Sequence, residues 1–164
     1  MQKHTISGEN VMGADYGENP WQQCDGLYLI DEAYDPLAIG KFAVEQGRDP
    51  SYNNVGDIDR LLQTATHIAA GIDINNLGPL HIAVGAKHGN MCGASVGDDV
   101  SLVTEQMLDG NSTSIFGGAV LINGPVDQKL ANILMKHNVV TGKRLLDVVV
   151  GSSLWRRPPF CGGG

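Results

Sequence analysis

The strongest constraint on the fold is an alternation of helical and strand-like patterns that begins after Asp57 and continues to residue 150. Apolar residues recur at helical spacing in three stretches, and short apolar runs lie between them. The patterns predict helices over 58–71, 100–108 and 125–137, and strands over 80–84, 118–122 and 144–150. Because these elements alternate with short connections, we expect an α/β sandwich with a mainly parallel sheet.

The ends of the predicted helices carry recognisable signals. Asp57 is suited to cap the first helix, and Gly71 to end it. The second helix has Asp98 and Asp99 before its first apolar residue. Pro125 is suited to the first turn of the third helix.

The chain has room for one compact domain, because it contains 164 residues of which 42% are apolar. Residues 1–57 are crowded with Gly, Asn, Asp, Pro and Gln, so we expect loops around short strands near 26–30, packed on the lobe. Residues 58–150 form the predicted α/β core lobe. Residues 151–164 have no pattern of their own and are expected to form a tail.

Composition excludes several classes of partner. The net charge of −7 provides no positive field for nucleic acid or anionic lipid. No apolar run approaches the roughly 18 residues of a membrane span, and the first four residues open no signal-like stretch, so we expect a cytoplasmic protein. The three cysteines are odd in number and far apart, which argues for reduced thiols.

The leading site candidate is the segment 85–93 in the predicted loop region, which follows a predicted buried strand and precedes a helix. Lys87 supplies a fixed positive charge, His88 a group that exchanges protons near neutrality, and Asn90 both a donor and an acceptor. These three side chains are the catalytic candidates. The structural alternative is a surface lysine beside a histidine that caps the loop.

A zinc deaminase site is the first hypothesis to test, because His88 and Cys92 lie on this loop. Such enzymes need a Glu two residues after the His, and position 90 is Asn. No second cysteine lies three residues from Cys92. We therefore expect no metal, and we interpret Cys92 as a structural thiol.

Four ordered segments resemble the formyltransferase part of the AICAR transformylase/IMP cyclohydrolase family. The family patterns are R-Y-G-E-N-P-H-Q, L-S-Y-N-N-x-x-D, K-H-x-N-P-C-G and S-x-F-G-G. The corresponding segments here are D-Y-G-E-N-P-W-Q at 15–22, P-S-Y-N-N-V-G-D at 50–57, K-H-G-N-M-C-G at 87–93 and S-I-F-G-G at 114–118. The resemblance covers residues from about 12 to 164.

The resemblance implies a three-layer α/β/α fold like that of cytidine deaminases, with no zinc in catalysis. In this family the transformylase has two lobes, and active sites form between lobes and across a dimer. The chain is similar to the first lobe only. We therefore expect a complementary second lobe on another chain, in a homo- or hetero-oligomer.

The activity implied is transfer of a formyl group from 10-formyltetrahydrofolate, the cosubstrate, to a small-molecule amine acceptor. By resemblance, His88 transfers the proton and Lys87 places a positive charge near the developing oxyanion. Asn90 and the backbone of Gly117 and Gly118 help to position the reactants. The implied substrate-binding residues are Tyr16, Gly17, Asn53, Ser114, Phe116, Gly117 and Gly118.

One departure bears on the acceptor. Asp15 stands where the family has an arginine that contacts the nucleotide, and a carboxylate repels a phosphate dianion. We therefore expect an unphosphorylated or differently charged amine as acceptor. A non-catalytic ligand-binding or regulatory lobe on the same scaffold is the alternative, and a self-processing protein with its nucleophile after Gly164 is a third.

Overall fold

The computed structural model describes residues 3–5, 7–22, 26–30 and 37–154. Cys24, Cys161 and most of the expected tail lie outside the described residues. Within them, no helix is long and apolar enough to cross a bilayer.

The described elements form one four-stranded sheet, two small two-stranded sheets and three α-helices. Strand β1 spans Glu9–Gly13 and pairs with β2, Gly26–Leu29, in an antiparallel hairpin. The main elements follow in the order α1 (Tyr52–Ile74), β3 (His81–Lys87), β4 (Asn90–Gly97), α2 (Val100–Gly110), β5 (Gly118–Ile122), β6 (Pro125–Val126), α3 (Gln128–Lys136), β7 (Leu146–Val150) and β8 (Ser153–Leu154). A short 3₁₀ turn, Ile39–Lys41, precedes α1.

The main sheet has the strand order β4-β3-β5-β7, and its directions differ from the prediction. Strand β3 is antiparallel to both β4 and β5, and only β5 and β7 are parallel. The expected mainly parallel sheet is therefore wrong. The reason is the segment 90–97, which was expected to be a loop and instead returns along β3 as a hairpin strand.

Alternate residues of the central strands face opposite layers, as the pleat of a sheet requires. Ile82 and Val84 of β3 pack with Leu61 of α1 on one face. Ala83 of β3 and Val120 of β5 pack on the other face, against α2 and α3. Helices therefore cover both faces of the central strands.

Helix α1 begins six residues before the predicted start, so the assignment of Asp57 as its cap is wrong. The cap is Ser51, whose side chain accepts the N–H of Asn54 while the Asn54 side chain accepts the N–H of Ser51. Asp57 instead lies buried in the second turn. The helix also continues past Gly71 to Ile74, and it spans the predicted boundary at residue 57.

The start of α3 is the other corrected boundary. Pro125 lies in strand β6, and the helix begins at Gln128. Its cap is Asp127, whose side chain accepts the N–H of Leu130 at 2.7 Å. A capping carboxylate satisfies an N–H of the first turn, so the helix starts after Asp127.

Candidate functional site

The catalytic candidates lie at the tight turn between β3 and β4. Lys87 pairs with Asn90, which leaves His88 and Gly89 as a two-residue loop. Both loop residues have positive φ, 52° at His88 and 73° at Gly89, as type I′ hairpin turns require. His88 and Asn90 are exposed, and the Asn90 amide donates to the carbonyl of His88 at 3.0 Å.

The carboxylate of Asp57 holds this turn against α1. One oxygen accepts the N–H of Gly89 at 2.6 Å, and the other accepts the N–H of His88 at 3.3 Å. Asp57 itself is only 5% exposed. The turn that carries His88 is therefore attached to the second turn of the helix.

Lys87 connects the hairpin to the loop before β5. Its Nζ donates to the carbonyl of Phe116 at 2.6 Å, and the next residue, Gly117, has φ 69°. A Cβ at Gly117 would lie 3.5 Å from Lys87 Nζ and 4.0 Å from Asp147 Oδ1. The ammonium group and the Asp147 carboxylate thus flank the same glycine.

The backbones of Gly117 and Gly118 have partners within the fold. Gly117 N–H donates to the carbonyl of Leu145 at 2.8 Å, and Gly118 N–H donates to the carbonyl of Ile115 at 3.0 Å. Both N–H groups are therefore hydrogen-bonded within the fold. Their effect is to fix the Phe116 carbonyl that receives Lys87.

The other predicted substrate-binding residues lie around the start of α1. Tyr16 accepts the N–H of Tyr52 through its carbonyl at 3.0 Å, and the Asn53 side chain donates to the carbonyl of Glu18 at 3.2 Å. Gly17 is buried, and its N–H donates to Gln22. The first turn of α1 therefore fixes the loop 16–22.

Contacts join all four sequence segments of the resemblance. The loop 16–22 contacts Asn53, the same helix contacts the 87–90 turn through Asp57, and Lys87 contacts Phe116. The Phe116 side chain is 50% exposed. Ser114, also exposed, donates its N–H to the Asn111 side chain at 2.9 Å. The catalytic and binding roles of these residues stay predictions.

A cavity of about 880 Å³ lies beside this cluster. Tyr16 and Asp147 line it, whereas Lys87, His88 and Asn90 do not belong to its lining. Its charged side chains are four carboxylates and two cations: Asp15, Glu45, Asp49, Asp147, Lys41 and Arg48. Asp15 Oδ2 lies 3.4 Å from Arg48 Nη1. An excess of negative charge disfavours anions in this cavity.

Cys92 lies near the turn as a half-buried free thiol. Burial raises the pKa of this thiol above its ordinary value, the charge of Asp57 raises it further, and Lys87 opposes the shift. A raised pKa keeps the thiol protonated and unreactive, which agrees with the structural interpretation of Cys92. Among the described residues, no cluster of three His, Cys, Asp or Glu side chains could hold a metal.

Sequence reasoning missed two acidic residues at this site. Asp57 was interpreted as a helix cap, although its place beside Ile58 and Leu61 on the apolar stripe of α1 is a signal of burial. Asp147, in the edge strand β7, carried no signal, because only the parallel pairing of β5 with β7 brings it to Gly117.

Comparison with known proteins agrees with the motif resemblance. The sequence profile of the family described as "AICARFT/IMPCHase bienzyme" matches residues 1–154. The bifunctional purine biosynthesis protein PurH of Oceanobacillus iheyensis is 33% identical over 133 residues, which are 81% of this chain and 24% of that protein.

The PurH proteins of two other bacteria are similarly close. That of Deinococcus deserti is also 33% identical over 133 residues, covering 81% of this chain and 24% of the relative. That of Staphylococcus carnosus is 33% identical over 145 residues, covering 88% of this chain and 25% of the relative. The chain thus spans about a quarter of the length of the curated relatives it matches. The profile match over nearly the whole chain shows that it belongs to the AICARFT/IMPCHase bienzyme family.

Proposed function

We propose that this chain is a formyltransferase lobe that works in purine biosynthesis, transferring a formyl group from 10-formyltetrahydrofolate to an amine acceptor. The observation that carries the proposal is the set of contacts that joins the four motif segments around α1 and the end of β3. All four belong to the transformylase part by resemblance, and none to the cyclohydrolase part. The helices on both faces of the sheet are compatible with the α/β/α, cytidine-deaminase-like fold that we propose.

The proposed chemistry requires one proton acceptor and one electrostatic stabiliser. The acceptor nitrogen attacks the formyl carbon, the bond from that carbon to N10 of the folate breaks, and tetrahydrofolate leaves. His88 takes the proton that the amine loses as the new C–N bond forms, and it gives this proton to N10 of the departing tetrahydrofolate. Lys87 carries the positive charge that faces the transient oxyanion, and its bond to the Phe116 carbonyl limits where the ammonium group can lie.

We further propose that a second lobe, on another chain, completes the site. The relatives are about four times longer than the residues matched here, since those residues cover 24% of the protein from Oceanobacillus iheyensis. In the proposal, the partner lobe supplies the folate pocket, and the cavity beside Tyr16 accepts the amine substrate with its reacting nitrogen extending out of the cavity towards His88, which does not line it.

The test is a formyl-transfer assay on protein isolated from its native source with the polypeptides that remain bound to it. The assay follows formation of tetrahydrofolate from 10-formyltetrahydrofolate when an aminoimidazole carboxamide acceptor, with or without phosphate, is added. His88→Asn removes the imidazole while keeping a residue that tolerates positive φ. Transfer should fall by roughly 10²-fold or more in this variant.

The matched control is His67→Asn, because His67 is an exposed histidine of α1. It should transfer at the rate of the unmodified protein. Equal activity of the His88 and His67 variants would contradict the assignment of His88. Loss of transfer when the chain is separated from its bound polypeptides would support the second lobe.

A non-catalytic binding lobe is the second candidate, favoured by one observation. His88 and Asn90 are exposed on the turn and do not line the cavity. If this second candidate is correct, the unmodified protein and the His88→Asn variant bind the ligand of the cavity with equal affinity. Neither of them then transfers a formyl group.

A further inference from the structure

Asp57 is a buried acid that the proposed chemistry does not use. It lies on the face of α1 that packs against the sheet, and its side chain is shielded almost completely, at 5% exposure. A buried carboxylate is costly unless hydrogen bonds satisfy it. Here both oxygens are satisfied by main-chain N–H groups of one turn, those of His88 and Gly89.

Only a carboxylate fits this pair of donors. Two adjacent N–H groups point at the side chain, and Asp offers an acceptor oxygen to each. Asn would offer one oxygen and one NH₂ group, which would face an N–H donor. An aspartate at position 57 therefore accepts both N–H groups of the turn, whereas an asparagine of the same shape accepts only one.

The turn needs such support because of its backbone conformation. His88 has φ 52°, a region that residues with a Cβ rarely adopt. Strained backbone persists at functional sites when neighbouring groups hold it in place. The hydrogen bonds from His88 and Gly89 to Asp57 are such a restraint.

A second contact fixes the hairpin along the helix. Thr64, two turns after Asp57 on α1, places its Oγ1 3.4 Å from Sδ of Met91, the second residue of β4. The same helix binds the loop 16–22 through Asn53. Helix α1 thus sets the position of the His88 turn relative to Tyr16. Asp57 is the charged residue through which the helix contacts that turn.

We propose that Asp57 is the positioning residue for His88: its carboxylate holds the His88–Gly89 turn in the left-handed conformation that orients the imidazole towards the acceptor amine. The inference rests on the proposed formyl transfer. Asp57 touches neither substrate nor reacting atoms, so its effect is on the rate of the chemical step and not on acceptor affinity.

The experiment compares Asp57→Asn with Asp59→Asn in the same isolated protein. Asp59 is an exposed carboxylate on α1, within 3.5 Å of Gln63 Nε2, so its variant removes the same charge from the same helix without touching the turn. Three quantities are measured: kcat for transfer, KM for the acceptor, and the amide proton shift of Gly89 by NMR. A hydrogen bond to a carboxylate moves an amide proton downfield.

For Asp57→Asn we expect the Gly89 amide to move upfield, kcat to fall by about 10- to 100-fold, and the acceptor KM to stay within about threefold. For Asp59→Asn we expect no change in any of the three. If Asp57→Asn does not fold, as judged by circular dichroism, Asp57→Ser is measured, because serine keeps an acceptor oxygen and places no amide donor against the turn.

The outcomes separate the inference from the proposed function. A folded Asp57 variant with a shifted Gly89 amide and an unchanged kcat overturns the positioning role while formyl transfer stands. An unshifted amide overturns the hydrogen bond itself. Absence of formyl transfer in the unmodified protein overturns both the proposed function and the catalytic role of Asp57. In that case the Gly89 amide shift still tests whether the hydrogen bond to Asp57 exists.

Discussion

Single residues decide how closely helix α2 approaches the sheet. Gly93 of β4 lies against the backbone of Met107, so that a Cβ at position 93 would overlap the Met107 carbonyl. Across the same contact, a Cβ at Gly110 would lie 2.9 Å from the Cα of Gly93. The end of α2 therefore packs directly on the backbone of β4, next to Cys92 in the hairpin.

This contact makes Gly93→Ala destabilising. The backbone carbonyl cannot rotate away as a side chain would, so the helix must shift, and overpacking of this kind costs about 1–3 kcal/mol. Gly71→Ala is the matched control, because Gly71 lies in α1 and, apart from the adjacent backbone of that helix, no atom lies within 4 Å of its Cβ position. We expect it to stabilise the protein by about 0.5–1 kcal/mol. Urea unfolding of both variants measures the difference, and equal midpoints would refute the packing argument.

Residue identity also explains how much of the site the sequence could reveal. Lys87, His88 and Asn90 were recognised by their chemistry, because their types and spacing are local information. The contact of Lys87 with Phe116 spans 29 positions and that of His88 with Asp57 spans 31. Such contacts depend on strand pairing and helix placement, which no local pattern specifies.

At the scale of elements, the best predictions were those with strong local signals. Helix α2 begins after Asp99 as expected, since that side chain accepts the N–H of Ser101 at 2.7 Å and of Leu102 at 3.1 Å. Strand β5 has the predicted bounds because it is a continuous buried apolar run. Strand β4 was missed, since its small and polar residues become a strand only through pairing with β3.

Helices α2 and α3 are joined by a hydrogen-bonded cluster at their ends. Asp109 Oδ1 lies 2.8 Å from Nε2 of His137 and accepts the Asn138 side-chain amide at 2.7 Å. The hydrogen bond with His137 is the main cause that lowers the pKa of Asp109 below its ordinary value, and burial opposes it. Arg144, 5% exposed, fixes the same region by donating to the carbonyls of Leu134 and His137.

This cluster predicts a dependence of stability on pH. Folding lowers the pKa of Asp109, so the unfolded chain binds this proton more tightly than the folded protein does. The Asp109 carboxylate therefore contributes its full stabilisation above the pKa of the unfolded state. That contribution is lost as the pH falls through the pKa of the folded state. Asp109→Asn should therefore lower the unfolding temperature near pH 6, and the gap from the unmodified protein should close as the pH falls below the ordinary pKa of an aspartate. Asp98→Asn, an exposed carboxylate before α2, is the control. A gap that stays constant across the range would exclude the linkage.

At the scale of the whole molecule, the main feature is a cavity in which acidic side chains outnumber basic ones. This excess of negative charge disfavours the binding of phosphate groups. The cavity runs between the segment 39–50, the start of α1 and the edge strand β7. Its four carboxylates outnumber its two cations, and Arg48, one of the two, has its Nη1 3.4 Å from Asp15. By the motif resemblance, Asp15 stands where the family has an arginine. Here its carboxylate lies near the Arg48 guanidinium and offsets part of that positive charge.

If the chain has the proposed function, this charge balance disfavours a phosphorylated acceptor. We expect the protein to bind an unphosphorylated aminoimidazole carboxamide riboside more tightly than its phosphate ester, because the excess of carboxylates repels the dianion. Asp15→Asn removes one negative charge and releases Arg48. At about 4 Å in water-like dielectric, one charge is worth about 1 kcal/mol, so affinity for the phosphate ester should rise about fivefold, with the riboside unchanged.

Titration calorimetry with both ligands measures this change without depending on turnover. The increase should shrink as salt is raised, because ions screen exposed charges. Asp73→Asn, an exposed acid at the far end of α1 that does not line the cavity, should leave both affinities unchanged. Tighter binding of the phosphate ester than of the riboside by the unmodified protein would show that Arg48 and Lys41 outweigh the carboxylates, and that the acceptor is the nucleotide.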